Sequence, residues 1–319
     1  MNPLKIVVLD AATLGDDLSL APLEALGTLT AYRTSPPETV RERISGADVV
    51  ILNKVKIHDG NLPDGAAAPR ILCEAATGYD NIDLDACRRH GVAVANVRGY
   101  SSNSVAQITV GLALSLVSHL PAYCASVSDG RYTRGGNANI LVPPYHEIAG
   151  MTWGIVGAGK IGSRVADVAT VLGCRTLLCR RSGGEGYTDL ATLLAESDII
   201  SIHTPLTPET RGMIGTDELA AMKDGAILIN MARGAVTDEA AVAEALASGK
   251  LGGLGVDVYS VEPMGKDHPY YPLRTRENVC LTPHMSWGAY EARARCLNEM
   301  ILNMQAFFRG EERCRVDLV

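Results

Sequence analysis

The sequence predicts an α/β protein made of two doubly wound parallel-sheet domains, and three observations support this prediction. Short apolar runs typical of buried strands alternate with helical patterns along almost the whole chain, as in parallel sheets. The chain has 319 residues, of which 47% are hydrophobic, and this is enough for two cores. A glycine-rich turn in mid-chain, between an apolar run and a helical pattern, marks the start of a second series of strands.

The first series of strands lies in the first third of the chain. Its apolar runs predict buried strands over residues 6–9, 49–52, 71–72 and 92–95. Helices are expected between these runs, over residues 37–44 and 83–90. A long and mostly apolar helix is predicted over residues 104–119, and a loop rich in Gly, Pro and Asn over residues 130–144.

The second series contains enough apolar runs for a doubly wound sheet. They predict strands over residues 154–156, 175–179, 199–203, 226–230, 253–258 and 279–281. The last segment, residues 290–308, carries apolar side chains at helical spacing, at Leu297, Met300, Ile301, Met304, Phe307 and Phe308. Such a stripe is typical of core contact, so we expect this helix to complete the first domain.

The glycine-rich turn reads G-x-G-x-x-G, directly after a predicted strand and before a helix. Gly157 permits the tight turn, Gly159 lets the backbone approach a pyrophosphate, and Gly162 lets the helix pack on the strand. The first helical turn, with Lys160 and Ile161, offers free N–H groups to phosphates. The motif therefore predicts a central Rossmann dinucleotide-binding domain over residues 101–288. Residues 1–100 and 289–319 should form a substrate domain, with a cleft between the two domains.

Charge and composition exclude several classes of partner. The net charge of −7 leaves no basic stripe to neutralise the phosphates of a nucleic acid. Residues 1–5 lead straight into a strand without a signal-peptide pattern, and the longest apolar stretch, residues 108–117, is too short to span a bilayer. We therefore expect a cytoplasmic protein with neither nucleic-acid nor membrane partners.

The cysteines do not predict a disulfide framework or a metal site. There are eight of them, and no two form a C-x-x-C pair. In a chain without a signal peptide they are expected to be reduced, mostly buried thiols. No bound metal is expected.

Three polar residues follow predicted strand ends in the second series: Arg233, Glu262 and His284. Each alone has an ordinary interpretation as a surface or structural side chain. Together they match the needs of a dehydrogenase that acts on a 2-oxo acid. An arginine clamps the substrate carboxylate, a histidine gives a proton to the carbonyl oxygen, and a carboxylate holds that imidazole charged and orients its ring. These roles require the three residues to be close in space.

Ordered motifs along nearly the whole chain resemble the D-isomer-specific 2-hydroxyacid dehydrogenase family. Besides the glycine turn, they lie at residues 76–83, 104–107, 203–210, 222–226, 230–234, 255–258, 262–263 and 282–284. Residues 7–10, 52–54, 284–287 and 290–293 are most similar to the branch of glycerate dehydrogenases and hydroxypyruvate (glyoxylate) reductases. The resemblance implies a flavodoxin-like substrate domain and a homodimer formed largely through the nucleotide domain.

The same resemblance implies roles for individual residues. Arg233, Glu262 and His284 would be the catalytic set, and Arg233 and His284 would contact the substrate. The backbone at Thr77 and Gly78 would bind the substrate carboxylate. Asp257 would face the nicotinamide carboxamide, and the cofactor pocket would be lined by His203, Thr204, Pro205, Met231 and Ala232.

The end of the second strand departs from the pattern of NAD-preferring members, which place an acidic residue there. In this chain the strand is followed by Arg180, Arg181 and Ser182. An arginine at this point accommodates the 2′-phosphate of NADP. The alternative is a pair of solvated arginines in an enzyme that uses NAD. The sequence therefore favours NADP(H), with NAD(H) as the alternative.

We expect from these observations an NAD(P)H-dependent oxidoreductase of small 2-oxo acids. Hydroxypyruvate and glyoxylate are the favoured substrates, and D-glycerate and glycolate the corresponding products. The alternative is a dinucleotide-sensing binding protein of the corepressor type, which keeps the fold and much of the site without turnover.

Overall fold

The computed structural model describes residues 3–318. Met1, Asn2 and Val319 lie outside the described residues. The first two residues of the segment 1–5 and both terminal ends of the predicted substrate domain therefore also lie outside them. The chain divides into two compact units, Met1–Ser101 with Gly288–Val319, and Ser102–Trp287. The predicted boundaries, 100/101 and 288/289, fall one residue before the first of these divisions and one residue after the second. The functions assigned to the two domains stay predictions.

The first unit contains a five-stranded, fully parallel sheet. Its strands are β1 (Leu4–Val8), β2 (Gly27–Ala31), β3 (Val49–Leu52), β4 (Ile71–Glu74) and β5 (Ala93–Ala95). Their order, β2-β1-β3-β4-β5, is the flavodoxin-like order of a doubly wound sheet. β3, β4 and β5 are buried along their whole length, so the apolar runs predicted them well.

Strand β2 was not predicted, because it lies at the edge of the sheet and is largely exposed. An edge strand pairs on one side only, and its sequence here, Gly-Thr-Leu-Thr-Ala, carries no buried apolar run. The strand is recognisable only through its parallel pairing with β1, in which Leu4 lies opposite Gly27.

The helices of the first unit cover its sheet. They are α1 (Ala21–Glu24), α2 (Val40–Ile44), α3 (Leu84–His90) and the C-terminal helix (Tyr290–Phe308), with short 3-10 turns at Ala11–Leu14, Pro37–Thr39, Asp59–Asn61 and Gly65–Ala67. Asp83 caps α3 by accepting a hydrogen bond from the Ala86 N–H at 2.9 Å, and Gly91 ends it in a left-handed conformation. The C-terminal helix packs on β4 and buries Leu297, Met300 and Met304 of its predicted stripe.

The second unit contains a six-stranded parallel sheet. Its strands are β6 (Thr152–Val156), β7 (Arg175–Cys179), β8 (Ile199–Ile202), β9 (Ala226–Asn230), β10 (Leu251–Val256) and β11 (Val279–Leu281). All six correspond to predicted strands. Their order is β11-β10-β9-β8-β6-β7, so the direction of winding reverses at β6. The predicted fold class, two doubly wound parallel sheets with a Rossmann-type nucleotide fold, is confirmed.

The helices of the second unit are α4 (Ser102–Val117), α5 (Leu120–Ser128), α6 (Arg131–Gly135), α7 (Lys160–Val171), α8 (Leu190–Glu196), α9 (Thr216–Ala221) and α10 (Glu239–Ser248), with 3-10 turns at Gly234–Val236 and Tyr271–Leu273. The prediction of a loop over residues 130–144 was wrong for α6. This one-turn helix lies between Gly130 and Gly136, which both have left-handed backbone conformations. The glycines of this segment are typical of a loop, so the sequence pattern did not indicate a helix.

A helix must be long and apolar to cross a bilayer. Among residues 3–318 no single helix has the length and apolar character to cross a bilayer, although α4 and α5, bent by 68° at their junction, meet that test as a pair. Within the same residues, no group of three or more His, Cys, Asp and Glu side chains has an arrangement that could hold a metal ion.

Candidate active site

The glycine turn lies where the winding of the second sheet reverses, at the carboxyl end of β6. Gly157 has a φ of +97°, which side-chain-bearing residues rarely adopt. A Cβ on Gly157 would lie 2.6 Å from the Thr204 nitrogen and 2.7 Å from the His203 carbonyl carbon. The turn therefore packs directly against the chain that leaves β8, and only glycine fits there.

The geometry of this turn fits a dinucleotide pyrophosphate. A Cβ on Gly162 would overlap the Gly157 carbonyl oxygen, whereas one on Gly159 would meet no atom within 4 Å. Gly159 thus borders open space, where a phosphate could approach the backbone. Gly159 is also the N-cap of α7 and supplies no capping side chain. Because the first N–H groups of a helix have no partner within it, those of Lys160 and Ile161 can bind a phosphate.

The segment after β7 presents two exposed arginines and Ser182, also exposed. Arg180 donates from Nε to the Gly183 carbonyl oxygen at 2.8 Å, and its guanidinium lies 3.9 Å from the centroid of the Tyr187 ring. These contacts hold Arg180 in one orientation. Arg181 makes a longer contact with Glu209, at 3.5 Å, between side chains that are 78% and 63% exposed. A pair this exposed contributes little energy, so Arg181 can reorient towards a ligand.

The residues predicted to line the cofactor pocket differ in exposure. His203 follows β8, and burial lowers the pKa of its ring to about 3, so the ring is neutral at physiological pH. Its Nε2 lies 3.0 Å from the Ser201 hydroxyl. Thr204 is partly buried and Pro205 is exposed. The side chains of Met231 and Ala232, only 6% and 9% exposed, pack into the apolar cores of the unit.

Arg233 lies in a turn after β9 that is fixed by Asn230. The Asn230 amide donates to the Arg233 carbonyl oxygen at 3.0 Å, and its own oxygen accepts from the Ala232 N–H at 3.0 Å. The Arg233 guanidinium donates to the Ala232 carbonyl oxygen at 2.9 Å and is partly buried. Asn230 belongs to the motif 230–234 but was not predicted as a site residue, although a polar residue that ends a buried strand could have indicated its role.

The structure brings Glu262 and His284 into direct contact. Nδ1 of His284 lies 2.7 Å from Oε2 of Glu262, and the side chains are 20% and 30% exposed. A carboxylate only accepts hydrogen bonds, so Nδ1 carries the proton that joins the pair. Nε2 is then the ring atom that can deliver a proton elsewhere. The second carboxylate oxygen, Oε1, accepts from the Tyr259 N–H at 3.1 Å.

Asp257 holds the loop that carries His284. Its buried carboxylate accepts hydrogen bonds from the Thr282 hydroxyl at 2.6 Å, the Met285 N–H at 2.9 Å and the Ser286 N–H at 2.9 Å. These donors lie on both sides of His284. The role predicted for Asp257, at the nicotinamide carboxamide, stays a prediction; the structure adds this structural role.

The predicted substrate residues Thr77 and Gly78 belong to the first unit, in the loop after β4. The Thr77 hydroxyl donates to the Val97 carbonyl oxygen at 2.7 Å, and the Thr77 carbonyl oxygen accepts from the Asn96 amide at 2.7 Å. Because the Thr77 hydroxyl already donates its hydrogen to Val97, substrate binding by this loop would depend on its backbone groups.

The remaining candidates share one edge of the second sheet. The glycine turn, His203, Arg233, Glu262 and His284 follow β6, β8, β9, β10 and β11 respectively, and these five strands are neighbours in the sheet. In a parallel sheet all of their carboxyl ends meet at the same edge, which is where ligands bind. A glycine turn that fits a dinucleotide, together with a paired histidine and carboxylate at the same sheet edge, is typical of one class of protein: an oxidoreductase that uses a nicotinamide dinucleotide.

Comparisons with known proteins identify the family. A sequence profile described as D-isomer specific 2-hydroxyacid dehydrogenase, NAD binding domain, matches residues 110–286. Glycerate dehydrogenase of Methylorubrum extorquens is 37% identical over 281 residues, which cover 87% of this chain and 88% of that protein. Hydroxypyruvate reductase of Blautia hydrogenotrophica is 34% identical, with 96% and 98% covered. The structure of D-lactate dehydrogenase from Aquifex aeolicus, complexed with NAD and lactic acid, matches with a TM-score of 0.82, 28% identity and 96% of both chains covered.

The chain therefore belongs to the D-isomer-specific 2-hydroxyacid dehydrogenase family. The resemblance seen in the sequence motifs is confirmed by these comparisons, as is the prediction of an enzyme that transfers a hydride between a nicotinamide cofactor and a 2-oxo or 2-hydroxy acid. The roles of the individual site residues stay predictions.

Proposed function

We propose that this enzyme reduces hydroxypyruvate or glyoxylate with NAD(P)H, giving D-glycerate or glycolate. The observation that carries the proposal is the Glu262–His284 pair, joined at 2.7 Å at the same sheet edge as the glycine turn. The choice of substrate rests on relatives of this chain that are named glycerate dehydrogenase and hydroxypyruvate reductase.

The bound nicotinamide would supply the hydride, and the side chains of this chain do the rest. Arg233 binds the substrate carboxylate and its charge polarises the adjacent carbonyl. His284 donates a proton from Nε2 to the carbonyl oxygen as the negative charge develops there. Glu262 accepts the hydrogen bond from Nδ1, which orients the ring and stabilises its charged form. In the oxidative direction the same imidazole accepts the proton.

A turnover assay with hydroxypyruvate and glyoxylate tests this function. We expect the wild-type protein to oxidise NADPH or NADH when either acid is present. His284→Gln cannot deliver the proton, so kcat should fall by roughly a hundredfold to ten-thousandfold. The matched control is His146→Gln, since His146 is exposed and lies outside the site; this variant should keep wild-type kcat. No turnover of any 2-oxo acid by the wild type, or an active H284Q variant, would contradict the proposal.

For the cofactor, we propose NADP(H) in preference to NAD(H). The support is chemical: Arg180 is oriented by Gly183 and Tyr187, and Arg181 and Ser182 are exposed next to it. Both arginines can pair with a 2′-phosphate, and the segment 180–182 contains no carboxylate to bind ribose hydroxyls. The D-lactate dehydrogenase relative was solved with NAD, so NAD(H) remains the alternative that the assay must compare.

The variant Arg180→Asp separates the two cofactors. Losing a charge-assisted contact with the phosphate costs about 1.5–3 kcal/mol, so kcat/KM with NADPH should fall roughly tenfold to a hundredfold. The value with NADH should change little. Arg175→Asp is the control, because Arg175 is an exposed arginine at the opposite end of β7. A wild type that prefers NADH, or equal losses with both cofactors, would overturn the NADP(H) proposal.

We also infer a homodimer formed through the second unit. Six of its large apolar side chains are exposed within one stretch, which we call the apolar segment 120–145: Leu120, Val127, Tyr132, Leu141, Val142 and Tyr145. Several exposed large apolar side chains in one stretch of chain are typical of an interface between protein chains.

We place the enzyme in the cytoplasm. The eight cysteines are all free thiols, and burial raises the pKa of Cys73 and Cys87 to about 12, so these two stay protonated and unreactive. Unpaired thiols of this kind suit a reducing compartment.

A further inference from the structure

A second pair of histidine and carboxylate lies buried in the second unit. Nε2 of His268 is 3.0 Å from Oε2 of Glu239, and the side chains are only 5% and 8% exposed. The Tyr270 N–H donates to Nδ1 of His268 at 3.1 Å. Because Nδ1 is an acceptor, Nε2 must carry the proton that His268 donates to Glu239. The fold therefore fixes both the tautomer of His268 and the direction of this bond.

Glu239 uses the rest of its carboxylate to hold Ser260. The Ser260 N–H donates to Oε1 at 2.9 Å, and the Ser260 hydroxyl donates to Oε2. Three donors thus converge on one buried carboxylate, two of them from the same residue. Such an arrangement fixes the backbone position of Ser260, because displacing it would leave a buried carboxylate with unmet hydrogen bonds.

The short segment 259–260 contacts all three predicted catalytic residues or their flanking chain. A Cβ on Gly234, next to Arg233, would overlap the backbone of Tyr259 and Ser260. The Tyr259 N–H donates to Oε1 of Glu262 at 3.1 Å. The Tyr259 hydroxyl donates to the carbonyl oxygen of Thr282, two residues before His284, at 2.9 Å. Whatever fixes Ser260 therefore also fixes the positions of Glu262 and His284.

We propose that Glu239, oriented by His268, is a positioning residue for the Glu262–His284 pair. This inference rests on the proposed function and deepens it, because it names residues outside the site on which proton transfer depends. Glu239 is bonded to Ser260, and the neighbouring residue Tyr259 carries the link to Glu262 and to the chain before His284. Misplacing a proton donor by about 1 Å can cost roughly a hundredfold in rate, so a network that fixes this loop is important for turnover.

The variant Glu239→Gln tests the network with almost no change in volume. The amide of this variant has an NH₂ group in place of one carboxylate oxygen. That group would face the N–H or O–H donors of Ser260 or the Nε2–H of His268, and two donors cannot form a hydrogen bond with each other. His268 cannot relieve this by changing tautomer, since Nδ1 faces the Tyr270 N–H. We expect kcat to fall by roughly tenfold to a hundredfold, with little change in KM for the cofactor. Glu244→Gln, on the exposed face of the same helix, should have no effect.

A double-mutant cycle separates positioning from a merely structural role. If Glu239 acts through Glu262, the change Glu239→Gln should cost little or nothing further in kcat when Glu262 is already Gln. If Glu239 only stabilises α10 as an acidic residue of its first turn, the two losses should multiply, and the proposal is wrong. Ser260→Ala removes one donor alone and should give a smaller loss of kcat, also absent in the E262Q background.

Proton NMR provides a readout that does not need turnover. The ring N–H that joins His284 to Glu262 at 2.7 Å should give a downfield resonance, which E262Q identifies by its loss. We expect this resonance to shift or broaden in E239Q and S260A and to stay unchanged in E244Q. An unchanged resonance in both network variants would overturn the inference. A wild type without any 2-oxo acid turnover would instead contradict the proposed function, and the resonance would still test the network.

Discussion

His284 shows how backbone conformation sets the direction of a proposed proton donor. Its φ is +51°, a conformation that costs a non-glycine residue about 1–3 kcal/mol. Asp257 offsets this cost by accepting bonds from the next two residues, Met285 and Ser286. The Trp287 indole donates to the His284 carbonyl oxygen at 3.0 Å. The backbone conformation of His284 therefore places its ring next to Glu262, and the hydrogen bond to Glu262 keeps the ring in that position.

The charge of Glu262 should determine how well His284 donates its proton. Reduction needs a proton from the imidazole at position 284, and Oε2 of Glu262 lies 2.7 Å from Nδ1 of that ring. Glu262→Gln keeps the shape of the side chain but removes the charge, so the charge-assisted hydrogen bond to Nδ1 is lost. Such a bond is worth about 1.5–3 kcal/mol, and kcat for reduction should therefore fall by roughly tenfold to a hundredfold.

Steady-state kinetics on hydroxypyruvate and glyoxylate check this loss, with E244Q as a control that removes a carboxylate of the same type from an exposed position. A kcat for E262Q equal to that of the wild type would show that the pair has no role in proton transfer.

At the scale of residues, the sequence predicted which side chains follow strand ends but not how they are held. Glu262 and His284 are 22 residues apart; their proposed roles required them to be close in space, but the sequence alone could not establish that they meet. The bonds of Asp257 and the pair Glu239–His268, 29 residues apart, carry no spacing signal. Buried polar networks depend on loop conformation, which strand and helix patterns do not encode.

At the scale of elements, the glycine turn combines two physical requirements that can be separated. Gly162 is needed for packing, because a Cβ there would overlap the Gly157 carbonyl oxygen and approach Ile155 to 3.0 Å. Gly159 has an ordinary φ of −85° and open space at its Cβ position. The first is therefore required by the protein itself, and the second, in our interpretation, by its ligand.

Two alanine variants test this separation. Gly162→Ala should destabilise the second unit by about 1–3 kcal/mol through overpacking, which lowers Tm by roughly 2–4 °C per kcal/mol. Gly159→Ala should leave Tm near the wild-type value but raise the Kd for NADPH about tenfold or more, as expected when a backbone–phosphate bond worth about 1.5 kcal/mol is lost. Calorimetry and fluorescence titration measure the two quantities. Equal losses of stability in both variants would refute the assignment of Gly159 to the ligand.

The elements that were predicted incorrectly share a cause. β2 and α6 bury little apolar surface, so neither leaves the hydrophobic pattern that identified the other strands. β2 is held by its hydrogen bonds to β1, and α6 is a single turn between two left-handed glycines. Elements that are defined by pairing or by turn geometry, rather than by burial, are the ones a pattern misses.

At the scale of the whole molecule, the charges near the proposed ligand site are opposite in sign to the net charge of the chain. The chain carries a net charge of −7, yet the proposed cofactor and substrate are anions. The carboxyl ends of three strands in the second unit are followed by cations: Lys160 after β6, Arg180 and Arg181 after β7, and Arg233 after β9. Local positive charge at one sheet edge can therefore attract anionic ligands although the chain as a whole is acidic.

The proposed homodimer is the prediction that belongs to this scale. The apolar segment 120–145 exposes 68% of Leu141 and 76% of Val142, which is unfavourable in water unless another surface covers it. A stable interface of about 1,200–2,000 Å² in total would bury such a segment from each subunit. Size-exclusion chromatography with light scattering should give twice the mass of one chain for the wild type at micromolar concentration.

The double variant Leu141→Asp with Val142→Asp should convert that dimer to a monomer, because the interface would then contain two unpaired carboxylates per subunit. Val171→Asp is the matched control: Val171 is 86% exposed and lies at the end of α7, outside the apolar segment 120–145, so this variant should remain dimeric. Circular dichroism must show that the double variant keeps its secondary structure. A monomeric wild type would contradict the homodimer, and a double variant that stays dimeric would mean that another surface forms it.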